Sequence, residues 1–372
     1  MLISIAIINH NYGHYVAEAV ESALLQRYDN VEVVVVDDGS TDGSLDALKQ
    51  YGTRVKLVAQ PNLGHIAAVN AAFAACSGDA VIFLDADDFL YPDCAAEIAA
   101  VWSDGLVKVQ YRLDTVNEIG ADQEMPFPYF ALGLSQDDIR RLSLIYGTYP
   151  WPVSSGNAYA RAYLEKLLPV RDPRIFKSPD GYLNKMAPLY GGVKTLHRVL
   201  GAYRVHGKNR WAQANASQIA RVSAEWVHFD KILHGEFEQR ARSLGFRVSS
   251  YGALRNVQQA EYRLLSKRFA GENAPNTHET RGFLLRLGLE SAFKAPNIGI
   301  IGRLVWSIWF IALATLPRRQ IAHLFVKSRG QVGRSALSRF LVNLSRHSAG
   351  VTAICIVWLM HAHWFSVPFG PG

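Results

Sequence analysis

Cysteine is scarce in this chain of 372 residues: Cys76, Cys94 and Cys355 are three in number and far apart. That count excludes a disulfide framework and a zinc site built on paired thiolates, and it points to a reducing compartment. Charge is sparse as well, with Asp, Glu, Lys and Arg at 19% against 49% hydrophobic residues, a balance that excludes disorder. No GxGxxG follows the first apolar run, which excludes the fingerprint of a dinucleotide-binding dehydrogenase. The turn after that run, Asn9 to His14, holds one glycine and neither Lys nor Arg. It therefore lacks the basic, glycine-rich cradle that a nucleotidyltransferase needs for a triphosphate. Met1 leads at once into Leu2 to Ile8, leaving no room for a basic start, a short apolar core and a cleavage site, so the expected location is the cytoplasm.

What is present is concentrated at the ends of apolar runs. In Val33 to Asp42, VVVVDDGSTD, four valines run into two carboxylates, a glycine and small polar residues. The valines read as a strand buried on both faces, which puts Asp37 and Asp38 at its carboxyl end, the edge where open α/β sheets bind ligands. A second run, Ala80 to Leu84, breaks into Asp85, Asp87 and Asp88. Two acid-tipped strands at one edge suggest a site for a cation or for something a cation carries.

The pattern between these points alternates strands with helices of about ten residues, the signature of a doubly wound sheet. Strands are predicted at Leu2 to Ile8, Val31 to Val36, Val55 to Ala59 and from Ala80, with helices over Val16 to Leu25, Ser44 to Tyr51 and Ile66 to Ala75. Further on, a helix is expected over Pro92 to Trp102, a strand over Val107 to Asp114, and a loop over the site from Gly120 to Gly133. Helices follow near Gln136 to Tyr146, Ala160 to Leu168 and Tyr182 to Leu189, and a closing strand over Val199 to Val205. Ala216 to Leu244 and Tyr251 to Arg268 read as long amphipathic helices forming a hairpin.

Asp85-Ala86-Asp87 is a DxD arrangement at a strand end. Mg2+ or Mn2+ characteristically takes one or two carboxylates and fills its remaining positions with phosphate oxygens and water, so such a pair suits a cation bridging a diphosphate. The bland alternative is that clustered acids cap the next helix, a role open to Asp88. Five motifs weigh against it: NHNYGHY from Asn9, DDGSTD from Asp37, QPNLGHIAAVN from Gln60, SGD from Ser77 and LDADD from Leu84. Their order and spacing resemble the inverting family 2 glycosyltransferases of bacteria, over roughly the first 210 residues.

The resemblance implies a GT-A fold, a doubly wound and mostly parallel sheet, followed here by an α-helical C-terminal region. It divides the matched part into a nucleotide-sugar half at 1–105 and an acceptor half at 106–212; the helical patterning and composition beyond it add a helical hairpin at 213–290 and membrane-associating helices at 291–372. It assigns Asn9, Asn11, Asp37, Asp38, Asn62, Gly64, Asn70 and Asp85 to the nucleotide-sugar, foremost a UDP-sugar, with His10 standing where a tyrosine is common. Asp87, Asp88 and His206 fall to Mn2+ or Mg2+, with Lys208 and Arg210 free to neutralise phosphate. Ser155, Gly156 and Asn157 match the small-residue segment beneath the acceptor, a saccharide or a polyprenyl-linked sugar. Asp180 falls on the general base, with Pro179 where the family has a glutamate. That departure keeps open a non-catalytic, nucleotide-sugar or glycan-binding module as the alternative. Asp180 could equally serve as an N-cap for the helix starting near Tyr182.

From Pro317 to Ser348 stand Arg318, Arg319, Lys327, Arg329, Arg334, Arg339 and Arg346 with no acid among them. The flanking stretches Ile298 to Leu316 and Val351 to Phe365 are apolar and rich in Trp, so anionic lipid is favoured over nucleic acid as the partner. Seven positive charges between two spans would break the positive-inside tendency. The expectation is therefore helices lying in the cytoplasmic leaflet with Trp306, Trp309, Trp358 and Trp364 at its interface; the alternative is a buried apolar pair within a folded domain or a homo-oligomer interface.

Overall fold

The computed structural model describes residues 1–122, 126, 128, 134–172, 174, 178–206, 216–249, 256–294 and 300–330. They divide into two compact units, one of residues 1–139 and 150–206, the other of 140–149 and the described residues between 216 and 330.

The first unit is built on β-branched strands with no polar alternation, which bury both faces. β1 (Ile3–Asn9) is buried along its whole length, and β2 (Val31–Asp38) from Val33 onward. With β3 (Lys56–Gln60) and β4 (Ala80–Asp85) they form a parallel half-sheet, β1 pairing with both β2 and β4. Helices α1 (Val16–Leu24), α2 (Ser44–Lys49) and α3 (His65–Ala75) make the crossovers. The register sets Asn9 beside Asp37 and Ile8 beside Asp85, so the two acid-tipped strands end at one edge, as their patterns predict.

The second half of this unit departs from simple alternation. After β5 (Phe89–Leu90) and α4 (Cys94–Val101), β6 (Leu106–Val116) lies two places from β4, separated from it by β7 (Asn157–Ala160), which runs antiparallel to both. The sheet order is β3-β2-β1-β4-β7-β6-β8-β5. β8 (Gly192–Arg204) begins well before the strand predicted from Val199; its first half carries exposed Lys194, His197 and Arg198 and so has no apolar run to mark it. The expected helix over 160–168 is one turn, α6 (Arg161–Leu164). Next, α7 (Pro179–Tyr190) starts three residues before Tyr182, with Ser178 as its N-cap.

α5 (Gln136–Tyr146) follows the expected bounds. The second unit packs α8 (Ala216–Ser243), α9 (Val257–Phe269), α10 (Arg281–Lys294), α11 (Ile300–Thr315) and α12 (Arg318–Gly330). Trp226 of α8 stacks on Tyr262 of α9 at 5.8 Å. Gly288 lets α10 approach α11, since a Cβ there would run into the Phe310 ring. The Arg268 guanidinium donates to the Leu313 carbonyl at 3.0 Å near the end of α11, where free carbonyls attract cations. The hairpin expected over 213–290 and the helix expected after 291 thus belong to one packed set.

No helix among the described residues is long and apolar enough to cross a membrane. Trp306 does not lie at a lipid interface: it is buried with its ring 5.6 Å from that of Phe310, on the face that α11 turns toward α9 and α10. Trp309 donates to Glu261 at 2.8 Å. Val351 to Phe365, with Trp358 and Trp364, lies outside the described residues, as do Arg334, Arg339 and Arg346.

Candidate active site

The turn after β1 is shaped by side chains that cap one another. Asn11 adopts φ +58°, a conformation its short amide tolerates. Its Oδ1 accepts from Thr41 N at 2.8 Å, and its own N–H donates to Ser40 Oγ at 2.9 Å. His10 Nδ1 donates to the Asp38 carbonyl at 2.8 Å, which leaves Nε2 to accept from the amides of Asn11 and Asn62 at 3.2 and 3.4 Å. The imidazole standing in the tyrosine position therefore ties together two residues predicted to line the nucleotide pocket.

Asp37 and Asp38 are both buried. Asp37 accepts from Asn9 Nδ2 at 2.7 Å and Ser40 N at 3.0 Å. Asp38 accepts from Gln60 Nε2, Leu63 N and Gly64 N at 2.6 to 3.0 Å, so it fixes the 60–64 loop. A carboxylate has about four acceptor positions, which leaves Asp38 room for one more donor. Asn70 is fully engaged with Val170, donating to its carbonyl at 3.1 Å and accepting its N–H at 2.9 Å, and thereby anchors α3 to the loop before α7.

The DxD acids separate into different tasks. Asp87 Oδ2 lies 3.0 Å from His206 Nε2, both side chains being buried, and His206 stacks on Tyr15 at 5.4 Å. Asp88 departs from the ligand role predicted for it: one oxygen accepts from Ser155 Oγ at 2.6 Å and the other from Arg204 N at 2.9 Å. Burial and the like charges of Asp87 and Asp85 push it above the usual carboxylate range. Asp85, at the tip of β4, is raised by burial and by the charges of Asp87 and Asp180. Asp87 and the His206 imidazole are one oxygen and one nitrogen donor, a pair that suits Mn2+ or Mg2+ when phosphate oxygens and water fill the other positions. Among the described residues no group of three or more His, Cys, Asp or Glu side chains is placed to hold a metal ion.

Ser155, Gly156 and Asn157 likewise differ from the acceptor contact expected of them. All three are buried. Ser155 holds Asp88, Gly156 admits Pro152 where a Cβ would clash, and Asn157 donates to the Val153 carbonyl at 2.6 Å. Their smallness serves close packing beneath the acids.

Asp180 is buried in the first turn of α7, beside the Ser178 cap. Ser178 Oγ donates to its Oδ1 at 2.7 Å, while Oδ2 is buried and has no hydrogen-bond partner among the described residues. Burial pushes the carboxyl up to about 7, against the opposing pull of Ser178, Gly181 N and Lys108. Pro179 occupies N1, where a helix has no use for an N–H, so the missing glutamate leaves the helix start intact.

Two residues that lie within recognised motifs, Arg204 and His65, have no role assigned by the sequence. Arg204 is almost completely buried, donates to the Asp87 carbonyl at 2.9 Å, pairs with Glu18 and lies 4.8 Å from the Tyr15 ring centre. It clamps the acidic turn to β8. His65 Nε2 stands 3.9 Å from Asp85, and burial pushes its imidazole down to about 4, so it faces the acids as a neutral group. Lys208 and Arg210 lie outside the described residues. The SGD motif is structural: Asp79 accepts from Leu2 N at 2.8 Å and Ser77 Oγ donates to Glu32 at 2.7 Å, at the opposite end of the sheet.

Residues 4–167 match the family model described as Glycosyl transferase family 2. The chain is 35% identical over 268 residues to an uncharacterized glycosyltransferase of Nostoc sp., covering 68% of this chain and 83% of that protein. It is 42% identical over 272 residues to chondroitin synthase of Escherichia coli, covering 69% of this chain but only 35% of that much longer protein. Among solved structures, S. aureus TarS 1–349 in complex with UDP-GlcNAc aligns at 17% identity and a TM-score of 0.45, over 89% of this chain and 90% of that one.

Proposed function

The chain belongs to glycosyltransferase family 2, and on that premise we propose that it moves a sugar from a nucleoside diphosphate, foremost UDP, to a saccharide or polyprenyl-linked acceptor in cell-surface polysaccharide assembly. One observation carries this reading: the tips of β1, β2 and β4 and the first turn of α7 bring Asn11, Asp38, Asp85, Asp87 and Asp180 to one edge of one unit. Asn11, Asn62 and the open acceptor position of Asp38 would receive the base, and Asp85 the ribose. Asp87 and His206 would hold Mn2+ or Mg2+, which when bound neutralises the diphosphate as it leaves.

Asp180 acts on the acceptor. Its unpartnered oxygen takes the proton of the acceptor hydroxyl as that oxygen attacks the anomeric carbon, the bond to the diphosphate breaks, and the configuration inverts. A carboxyl poised near neutral pH suits this work, being ionised often enough and basic enough together. The test is release of nucleoside diphosphate from a panel of UDP- and GDP-sugars with and without Mn2+. Metal-dependent turnover of one donor supports the reading, and tight binding without any turnover supports a binding module.

Attachment to the cytoplasmic face of the membrane forms part of the proposal. α11 exposes Ile300, Leu304, Ile308 and Ile311 as one stripe, next to exposed Arg318 and Arg319 of α12. Apolar side chains with cations beside them suit an anionic lipid surface. The full chain should sediment with vesicles containing anionic lipid, and a Leu304→Glu, Ile308→Glu variant should stay in solution; equal recovery with neutral vesicles would remove the charge argument.

A further inference from the structure

Taking a lysine amine out of water is costly unless a counter-charge and hydrogen bonds replace the lost hydration. Lys108 of β6 has no exposed surface. Two-residue periodicity puts it on the same face as Gln110, and its Nζ donates to Gln110 Oε1 at 2.9 Å. Gln110 is itself fixed, its amide donating to the Pro150 carbonyl and the Thr195 hydroxyl at 3.0 Å each. Tyr159, the β7 residue paired with Lys108 in the sheet, has its ring centre 5.9 Å from the amine. Its hydroxyl donates to Asn184 Oδ1 at 2.9 Å, one helical turn beyond Asp180 on α7. The amine is thus enclosed beneath the start of the helix that carries the base, where the buried Oδ2 of Asp180 has no donor among the described residues.

We propose that Lys108 is a positioning residue for Asp180, its enclosed amine supplying the counter-charge that lets the base stand as a carboxylate under α7. The inference rests on the reading of Asp180 as the base. Burial drives the amine well below its ordinary range and the carboxyl up; against that, each charge draws the other toward its ionised form. Among the described residues the other ionisable groups around Asp180 are few. Asp85, at the end of β4, feels its charge, and Lys185 stands farther along α7. Tyr159 of β7 and Tyr163 of α6 have their hydroxyls on Asn184 and the Leu183 carbonyl. No other motif of the sequence marks Lys108, because a lone lysine within an apolar strand reads as an edge residue.

The test is a double-variant cycle on the full chain, Lys108→Met, Asp180→Asn and both together, melted at pH 8, with kcat followed against pH for the wild type and Lys108→Met. Lys108→Met should lower the melting midpoint by several degrees in the wild-type background and by little in the Asp180→Asn background. The acid limb of kcat should move up by about one pH unit or more while the donor KM holds. If Lys108→Met does not fold alone, the double variant should. An equal loss of stability in both backgrounds, failure of the double variant to fold, or an unmoved acid limb would overturn the proposal. The melting cycle needs no turnover, so a coupled melt in a protein whose activity survives Asp180→Asn would count against the base assignment and leave the pairing standing.

Discussion

At the scale of single residues, environment decides what identity alone leaves open. Asp87, Asp88 and Asp180 are the same side chain in three situations: beside an imidazole, enclosed by two donors, and buried with one oxygen unpartnered. The last gives a prediction with two readouts. Asp180→Asn should lower kcat by roughly 10²- to 10⁴-fold with little change in donor binding. It should also stabilise the protein at pH 8. The carboxyl lies at about 7 in the folded chain, above its ordinary value, so the stability it contributes is complete below about 4 and is lost as pH rises through about 7. The amide escapes that loss, and its advantage in urea melts should grow over this window toward about 4 kcal/mol at most. Wild-type kcat should fall as pH drops below about 7, since the base is then protonated.

Arg204 supplies the second prediction at this scale. Arg204→Met keeps much of the packing on Tyr15 and Phe89 but leaves the Asp87 carbonyl without its donor. The loss should be roughly 3 kcal/mol in urea melts, with weaker Mn2+-dependent donor binding by titration calorimetry, because the turn that aims Asp87 is no longer held. Unchanged donor binding would show that the turn stands without the clamp.

At the scale of elements, legibility followed continuity of pattern. β1, β2 and β4 were readable because apolar runs end abruptly in acids, and the parallel half-sheet followed. β7 was not, being four residues long, and neither was the charged first half of β8. The missing β7 matters, because it is the strand that brings Ser155 under Asp88 and Tyr159 over Lys108. The start of α7 was misplaced because Pro179 reads as a break when met in sequence, whereas at N1 it begins a helix. In α11, composition gave an apolar helix but not which face is covered; Gly288 of α10, which admits Phe310, settles that. Gly288→Ala should cost the helical unit about 1–3 kcal/mol by overpacking, read as a lower melting midpoint in calorimetry. A neutral result would mean that the Phe310 ring has room to move.

At the scale of the whole molecule, the candidate site was legible where the motifs lie at strand ends and illegible where it depends on the interior. Asn11, Asp38, Asn62 and Asp85, the residues proposed to meet the donor, stand in motifs that the sequence marks; the enclosure of Asp88 by Ser155 and Arg204 N, the clamp formed by Arg204 and the burial of Lys108 follow from packing that no local pattern encodes. The Nostoc relative is matched over most of its length, whereas only about a third of the chondroitin synthase of Escherichia coli, 35%, is matched.

The central claim is that one sheet edge holds a donor and metal group, Asp87 with His206, and a separate base, Asp180. The most direct measurement is calorimetric titration of a UDP-sugar, with and without Mn2+, into the wild type, Asp87→Ala and Asp180→Asn. The account predicts Mn2+-dependent binding that is lost in Asp87→Ala and retained in Asp180→Asn, with turnover absent from both. Binding that survives Asp87→Ala unchanged, or that disappears with Asp180→Asn, would contradict that division.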